Sequence, residues 1–148
     1  MSQIVLEELN EQHNYVQYCN ILSQLTSLDY NTFTEVDFKN HLKCIKSNPY
    51  HKIIVATLNE TIIGTITVLI EPKFIHNLSY IAHIEDIVVD MSVRCKGIGR
   101  KLVEKAIDIS KQYQCYKIIL NCAENNLDFY RKFGFKLKEC QMALYFSK

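Results

Sequence analysis

Three observations predict an α/β (α+β) domain built on a mixed, mostly antiparallel central sheet with helices on both faces. Two β-branched runs are separated by a two-residue turn, a nearly continuous apolar strand leads into a glycine loop and a helix, and a second strand and helix follow. With 148 residues the chain has room for one such domain and too little for two, so residues 1–148 read as a single domain. Hydrophobic residues at 48%, charged residues at 22%, four Gly and two Pro exclude collagen-like, low-complexity and disordered classes. Seventeen Lys and Arg against 16 Asp and Glu leave a net charge of +1. No basic run supplies the electrostatic footprint of a nucleic-acid binder, so no nucleic-acid partner is expected.

In chain order, residues 4–8 (Ile-Val-Leu-Glu-Glu) make a first strand. Tyr15, Tyr18, Cys19, Leu22 and Leu25 then recur at helical spacing, with Thr26 at the end of that helix. Thr34, followed three residues later by Asp37, marks a second helix start, and Asn48-Pro49 its end. Lys52 to Leu58 and Thr61 to Glu71 form a hairpin about Asn59-Glu60, interrupted by Pro72. Ser79 to Asp90 is the central strand, its apolar end suited to burial on both faces. After the glycine loop, Leu102, Val103, Ala106 and Ile107 mark a helix. Lys117 to Asn121 reads as a short buried strand, Asn126 to Phe133 as a helix ended by Gly134, and Phe135 to Phe146 as a closing strand.

The start of the chain lacks the basic opening and apolar stretch of a signal peptide, and no apolar run approaches the roughly 18 residues of a membrane span. No membrane association is expected. Six cysteines without a C-x-x-C pair read as reduced thiols of a cytoplasmic protein. His76 and His83 lack a third ligand at metal-site spacing, so no metal is expected.

The strongest local feature is Arg94-Cys95-Lys96-Gly97-Ile98-Gly99-Arg100. Small residues at Gly97 and Gly99 let backbone N–H groups point at an anion at the positive end of the helix that follows, which suits a phosphate or pyrophosphate. A P-loop would need Gly, four residues, then Gly-Lys-Ser/Thr, and a dinucleotide fold a third Gly after an early strand; neither pattern is present.

That loop, with Asn126, Tyr130, Gly134 and Phe135 in an N-x-x-x-Y-x-x-x-G-F arrangement, resembles the GNAT N-acetyltransferases. Glu71-Pro-Lys73-Phe-Ile-His76, His83-Ile-Glu85-Asp86-Ile-Val-Val89, Cys115-Tyr116-Lys117-Ile-Ile-Leu120 and Phe129-Tyr130-Arg-Lys132 together resemble the branch of that family that acetylates glucosamine 6-phosphate. The resemblance implies the GNAT fold, acetyl-CoA as co-substrate, a small amino-sugar phosphate as acceptor and a homodimer with shared active sites. It implies cofactor contacts at Ile87, Val88, Val89, Arg94, Cys95, Lys96, Gly97, Ile98, Gly99, Arg100, Asn126, Tyr130 and Lys132. It implies acceptor contacts at Thr26, Lys73, His76, Glu85, Asp86, Tyr116, Lys117 and Asn121.

In that chemistry an amine attacks the thioester carbonyl, and a backbone N–H at Val88 or Val89 stabilises the oxyanion. Tyr130 donates a proton or hydrogen bond to the departing thiolate. Glu85 and Asp86, adjacent in a strand, are expected to face opposite sides and so to hold different jobs around the acceptor. Two positions depart from the resembled pattern: Asn121 stands where an acid is common, and Tyr145 where a basic residue is frequent. Asn121 accepts a hydrogen bond but takes no proton at neutral pH. The alternatives are a GNAT domain acting on another amine and a non-catalytic acyl-CoA sensor.

Overall fold

The computed structural model describes residues 3–147. Chain order is β1 (Ile4–Glu8), α1 (Tyr15–Leu22), α2 (Glu35–Lys46), β2 (His51–Leu58), β3 (Thr61–Pro72), a single turn α3 (Ile75–Leu78), β4 (Tyr80–Val89), α4 (Ile98–Gln112), β5 (Cys115–Leu120) and α5 (Leu127–Arg131). Both early helices start where a side chain satisfies an orphan backbone donor. Asn14 accepts from the N–H of Gln17 at 3.1 Å. Thr34 and Asp37 close a reciprocal capping box, with the Thr34 N–H donating to Asp37 Oδ2 at 2.8 Å.

The five strands lie in sequence order, β1-β2-β3-β4-β5. Neighbours are antiparallel except β4 and β5, which are parallel and joined by the crossover helix α4. The β2–β3 hairpin turns on Asn59 and Glu60, both left-handed at φ 48° and 63°, as a two-residue primed turn requires. One face of the sheet carries Ile54, Ile66, Val68 and Ile84 against Leu102, Val103 and Ala106 of α4. The other carries Val55, Ile62 and Val88 against Tyr18 and Ile21 of α1 and Leu42 of α2. Period-2 alternation along β2–β4 divides these two cores. The six cysteines are all free.

The expected closing strand is absent. Residues 135–147 form no strand. Their apolar alternation matches a strand, but a strand needs a hydrogen-bonded neighbour, and β5 is the last strand of the sheet. Met142, Leu144, Tyr145 and Phe146 are 94%, 79%, 90% and 85% exposed, so the apolar side chains that suggested a strand are not covered by this chain. Between β5 and residues 133–141 lies a groove of about 1070 Å³.

Candidate active site

The site is a fork in the sheet. β4 and β5 pair from Tyr80–Cys115 to Ile84–Leu120, and β4 then runs on from Glu85 to Val89 without β5, paired only with β3. A bulge marks the same stretch on the β3 side: Thr65 pairs with Val88 and Thr67 with Glu85, so Ile66 faces two residues, Asp86 and Ile87. Asp86 adopts φ 48°, and a bulge of this kind bends its strand and increases local twist. The Asp90 N–H donates to Ile63 O on β3 at 2.9 Å. Two residues earlier, alternation turns the Val88 N–H toward β3 as well, while Val89 faces the opening, where Arg94 Nε donates to its carbonyl at 3.1 Å. Of the two backbone donors expected from the sequence, Val89 therefore looks into the fork and Val88 into the sheet. Ile87 is half-buried at the same opening.

The glycine loop reaches this opening from a 3₁₀ turn at Met91–Val93, capped by Asp90, whose Oδ1 accepts from the Ser92 N–H at 2.8 Å. Cys95 and Gly97 are both left-handed, at φ 62° and 80°, and left-handed residues in a tight turn curl neighbouring N–H groups toward an anion-binding concavity. A Cβ on Gly97 would meet nothing within 4 Å, so glycine answers the backbone angle there and not a crowded space. The first turn of α4 holds no acid to offset its dipole. Arg94, Lys96, Arg100 and Lys101 gather around it, and Arg100 is held by Glu104 at 2.8 Å. Ile98 is buried, so its backbone and not its side chain faces the loop's exterior. A Cβ on Gly99 would lie 3.5 Å from Phe129 Cζ and 3.7 Å from Val89 Cγ2, which shows how closely α4, β4 and α5 converge.

On the far side of the fork, α5 carries Tyr130, 6% exposed, with its ring centroid 5.0 Å from that of Phe129 and 6.0 Å from that of Phe135. Burial pushes the Tyr130 phenol above its ordinary pKa, and Cys122 adds to the shift. The phenol therefore stays protonated and able to donate. Asn126, at the start of α5, and Lys132, just past its end, are exposed, as is Asn121 beyond β5.

A second group of expected residues meets at the opposite end of β4. His83 and Glu85 alternate with Ala82 and Ile84, which face α4, and so share the other face of the sheet. Glu71 spans two side chains there: its Oε1 accepts from Lys73 Nζ at 2.8 Å and its Oε2 lies 2.8 Å from His83 Nε2. Lys73 and then His83 hold the Glu71 carboxyl below its usual range, and Glu71 in turn raises Lys73. The His76 ring stacks on Tyr116 at 4.1 Å, and Lys117 Nζ lies 5.7 Å from the Tyr116 centroid. His76 belongs to a left-handed run with Asn77 and Leu78, at φ 52°, 58° and 61°, a strained conformation for side-chain-bearing residues. Lys73, His76, Tyr116 and Lys117 are thus gathered, with Glu71 and His83 as members that sequence reasoning left without a role. The His83-x-Glu85 alternation was the signal for one of them. Thr26 sits elsewhere, on the exposed turn after α1, its N–H on Leu22 O at 3.2 Å.

Glu85 and Asp86 are both exposed, and the alternation that would set them on opposite faces stops at the left-handed Asp86. The Asp86 carboxylate is near enough to Tyr18 to contribute to a phenol pKa pushed up to about 12, chiefly by burial and partly offset by a Thr65 hydrogen bond. Among the described residues no three His, Cys, Asp or Glu side chains gather as metal ligands.

Residues 16–135 match the model of the Acetyltransferase (GNAT) family. The chain belongs to the GNAT acetyltransferase family. Among relatives of this GNAT domain, glucosamine 6-phosphate N-acetyltransferase of Arabidopsis thaliana is 38% identical over 133 residues, 88% of each chain. Glucosamine 6-phosphate N-acetyltransferase 1 of Dictyostelium discoideum is 38% identical over 131 residues, 86% of this chain and 82% of that protein. The crystal structure of the Arabidopsis thaliana enzyme superposes with a TM-score of 0.92 at 34% identity, covering 98% of this chain and 99% of that one. Its likeness to this GNAT domain extends through the fork and the loop. No helix among the described residues is long and apolar enough to cross a membrane.

Proposed function

We propose that this GNAT enzyme transfers acetyl from acetyl-CoA to the 2-amino group of D-glucosamine 6-phosphate, giving N-acetyl-D-glucosamine 6-phosphate and CoA. The observation that carries this reading is the identity of 38% across 88% of both chains with an enzyme named for that acceptor. The geometry supports it. The Arg94–Gly99 loop and the start of α4 offer N–H groups and unopposed positive charge for a pyrophosphate. Lys73, His76, Tyr116 and Lys117 offer charge and imidazole donors for a sugar phosphate.

Both substrates bind together and the amine attacks the thioester carbonyl directly. The Val89 N–H, on the open side of the fork, lies where an oxyanion would form, and a preorganised donor is worth most where charge develops. As the C–S bond breaks, the sulfur takes the bonding pair and the buried Tyr130 phenol supplies a hydrogen bond or proton. Glu85 and Asp86 orient the amine, and water beside them receives its proton, because Asn121 cannot. The homodimer implied by the family resemblance fits the exposed apolar residues 142–146, which a second copy would cover; sedimentation that returned a monomer would remove that part of the reading. The protein acts in the cytoplasm, and its product serves amino-sugar nucleotide synthesis.

The test is release of CoA from acetyl-CoA with glucosamine 6-phosphate, glucosamine, galactosamine 6-phosphate, spermidine and a lysine peptide at equal concentrations. Strong preference for glucosamine 6-phosphate is expected. Preference for another amine would overturn the acceptor, and binding of acetyl-CoA without turnover would favour a sensor.

A further inference from the structure

α1 is tied to the rest of the molecule by two glutamine amides seven residues, or about two helical turns, apart along the chain. Gln17 Oε1 accepts the N–H of Ile62, at the start of β3, at 3.1 Å. Gln24, just past the end of α1, makes two bonds at once: its Oε1 accepts the Met91 N–H at 2.9 Å and its Nε2 donates to Asp90 Oδ2 at 3.1 Å. The first tie goes to the start of β3, next to the Ile63 that anchors Asp90, but touches neither Asp90 nor Met91. The second grips the turn that launches the glycine loop.

Asp90 is the hub of that turn. Its Oδ1 accepts from Ser92 and caps the 3₁₀ turn at Met91–Val93, its N–H anchors the strand end on Ile63 O, and its carboxyl is held below the ordinary range by Ser92 and then Gln24. Arg94, the first residue of the loop, folds back on Val89 O. On the other side, Gln24 precedes Thr26 by two residues, at the head of the exposed segment 25–33 that links α1 to α2. That segment has no strand partner and few buried side chains, so its position depends on its ends. One end is the capping box at Thr34 and Asp37. The other is Gln24.

We propose that Gln24 is a positioning residue: its amide joins the cofactor-loop turn to the α1–α2 segment, so that filling the loop orders the stretch bearing Thr26. The inference rests on the Arg94–Gly99 loop being the seat of the CoA pyrophosphate, and it does not depend on which amine is acetylated. An ordering step of this kind needs a contact that differs in strength between the empty and filled loop, and the Gln24 bonds are placed to be that contact.

The experiment is amide hydrogen exchange of the full chain with and without CoA, on wild type, Gln24→Leu and Gln17→Leu, with CoA affinity measured by calorimetry on the same samples. Gln17→Leu is the control, because it deletes a side-chain to backbone bond of the same kind at the hairpin. In wild type and in Gln17→Leu, CoA is expected to slow exchange in residues 25–33 as well as in 94–100. In Gln24→Leu, protection is expected at 94–100 and lost at 25–33, with a CoA Kd about fivefold weaker, the factor that two lost hydrogen bonds of about 0.5 kcal/mol each give. Gln24→Glu, which faces Asp90 with a second carboxylate, should behave as Gln24→Leu does. Protection of 25–33 that survives in Gln24→Leu, that is absent from wild type, or that falls equally in both leucine variants overturns the proposal. Failure of glucosamine 6-phosphate to turn over would overturn the acceptor reading alone, since no acceptor enters this measurement.

Discussion

Replacing Tyr130 by Phe separates the fork's chemistry from its packing. The ring is 6% exposed and meets Phe129 and Phe135 at 5.0 and 6.0 Å, and Phe keeps every one of those carbon contacts. The change removes one hydroxyl from a site where burial already holds the phenol in its protonated form. Its stability cost is therefore no more than about 1 kcal/mol, the net worth of a typical hydrogen bond. Loss of a positioned proton donor is worth about 10²- to 10⁴-fold in rate, or about 3 to 5 kcal/mol in barrier height. Initial rates of CoA release at saturating acetyl-CoA and glucosamine 6-phosphate should fall by at least about 100-fold, while acetyl-CoA Kd by calorimetry moves less than about twofold. A kcat within a few fold of wild type would refute the donor role. So would a Kd weakened by the same factor as kcat, which would make Tyr130 a wall of the cofactor site.

Gly64→Ala should cost about 1 to 2 kcal/mol, because the new Cβ would sit 3.1 Å from Val88 O and 3.2 Å from Leu102 Cδ1, and the overpacking exceeds the gain from a stiffer unfolded chain. Thermal unfolding should show it as a fall of about 3 to 6 °C; no fall would mean that β4 and α4 move apart freely. Gly97→Ala meets no neighbour but must hold φ 80°, which costs about 1 to 2 kcal/mol, so acetyl-CoA Kd should weaken about 5- to 30-fold as the loop abandons that angle. An unchanged Kd would detach the left-handed turn from cofactor binding. For Tyr18, whose pKa is pushed up to about 12, the unfolded chain loses its proton first, near pH 10. The stability Tyr18 gives is complete below about pH 10 and is lost as pH rises toward 12, amounting to about 2 to 3 kcal/mol. Urea unfolding across that window should show a decline that Tyr18→Phe reduces, and parallel declines in both proteins would contradict it.

Elements whose partners lie nearby in sequence were legible in advance. The capping box of Thr34 and Asp37, the Asn59-Glu60 turn and the amphipathic stripe of Leu102, Val103 and Ala106 are local patterns, and local sterics and periodicity decide them. The glycine loop was legible because φ of 80° at Gly97 is a backbone demand that few residues meet. What escaped depended on long-range register. The bulge opposite Ile66 leaves no mark in residues 83–89, yet it re-aims Asp86 and decides that Val89, not Val88, opens into the fork. Glu71 was visible as part of a motif, but its grip on Lys73 and His83 needs the β3–β4 pairing to exist first. The closing strand was misread for the same reason: residues 135–146 have a strand's composition, and composition says nothing about whether a neighbouring edge belongs to the same chain.

The order β1-β2-β3-β4-β5 means that every strand pairs with its predecessor in the chain. Three of the joints are antiparallel, though β1 meets β2 only across α1 and α2, and the β4–β5 joint, the one parallel pair, waits for α4 to cross over. The fork opens at that joint, and α4 both closes the sheet and presents the anion-binding end. Closing that joint and assembling the cofactor seat consequently share one helix, so a ligand that grips the start of α4 stabilises the closed joint by mass action. CoA should therefore hold the β4–β5 seam shut against denaturant, by an amount that grows with its concentration relative to its Kd.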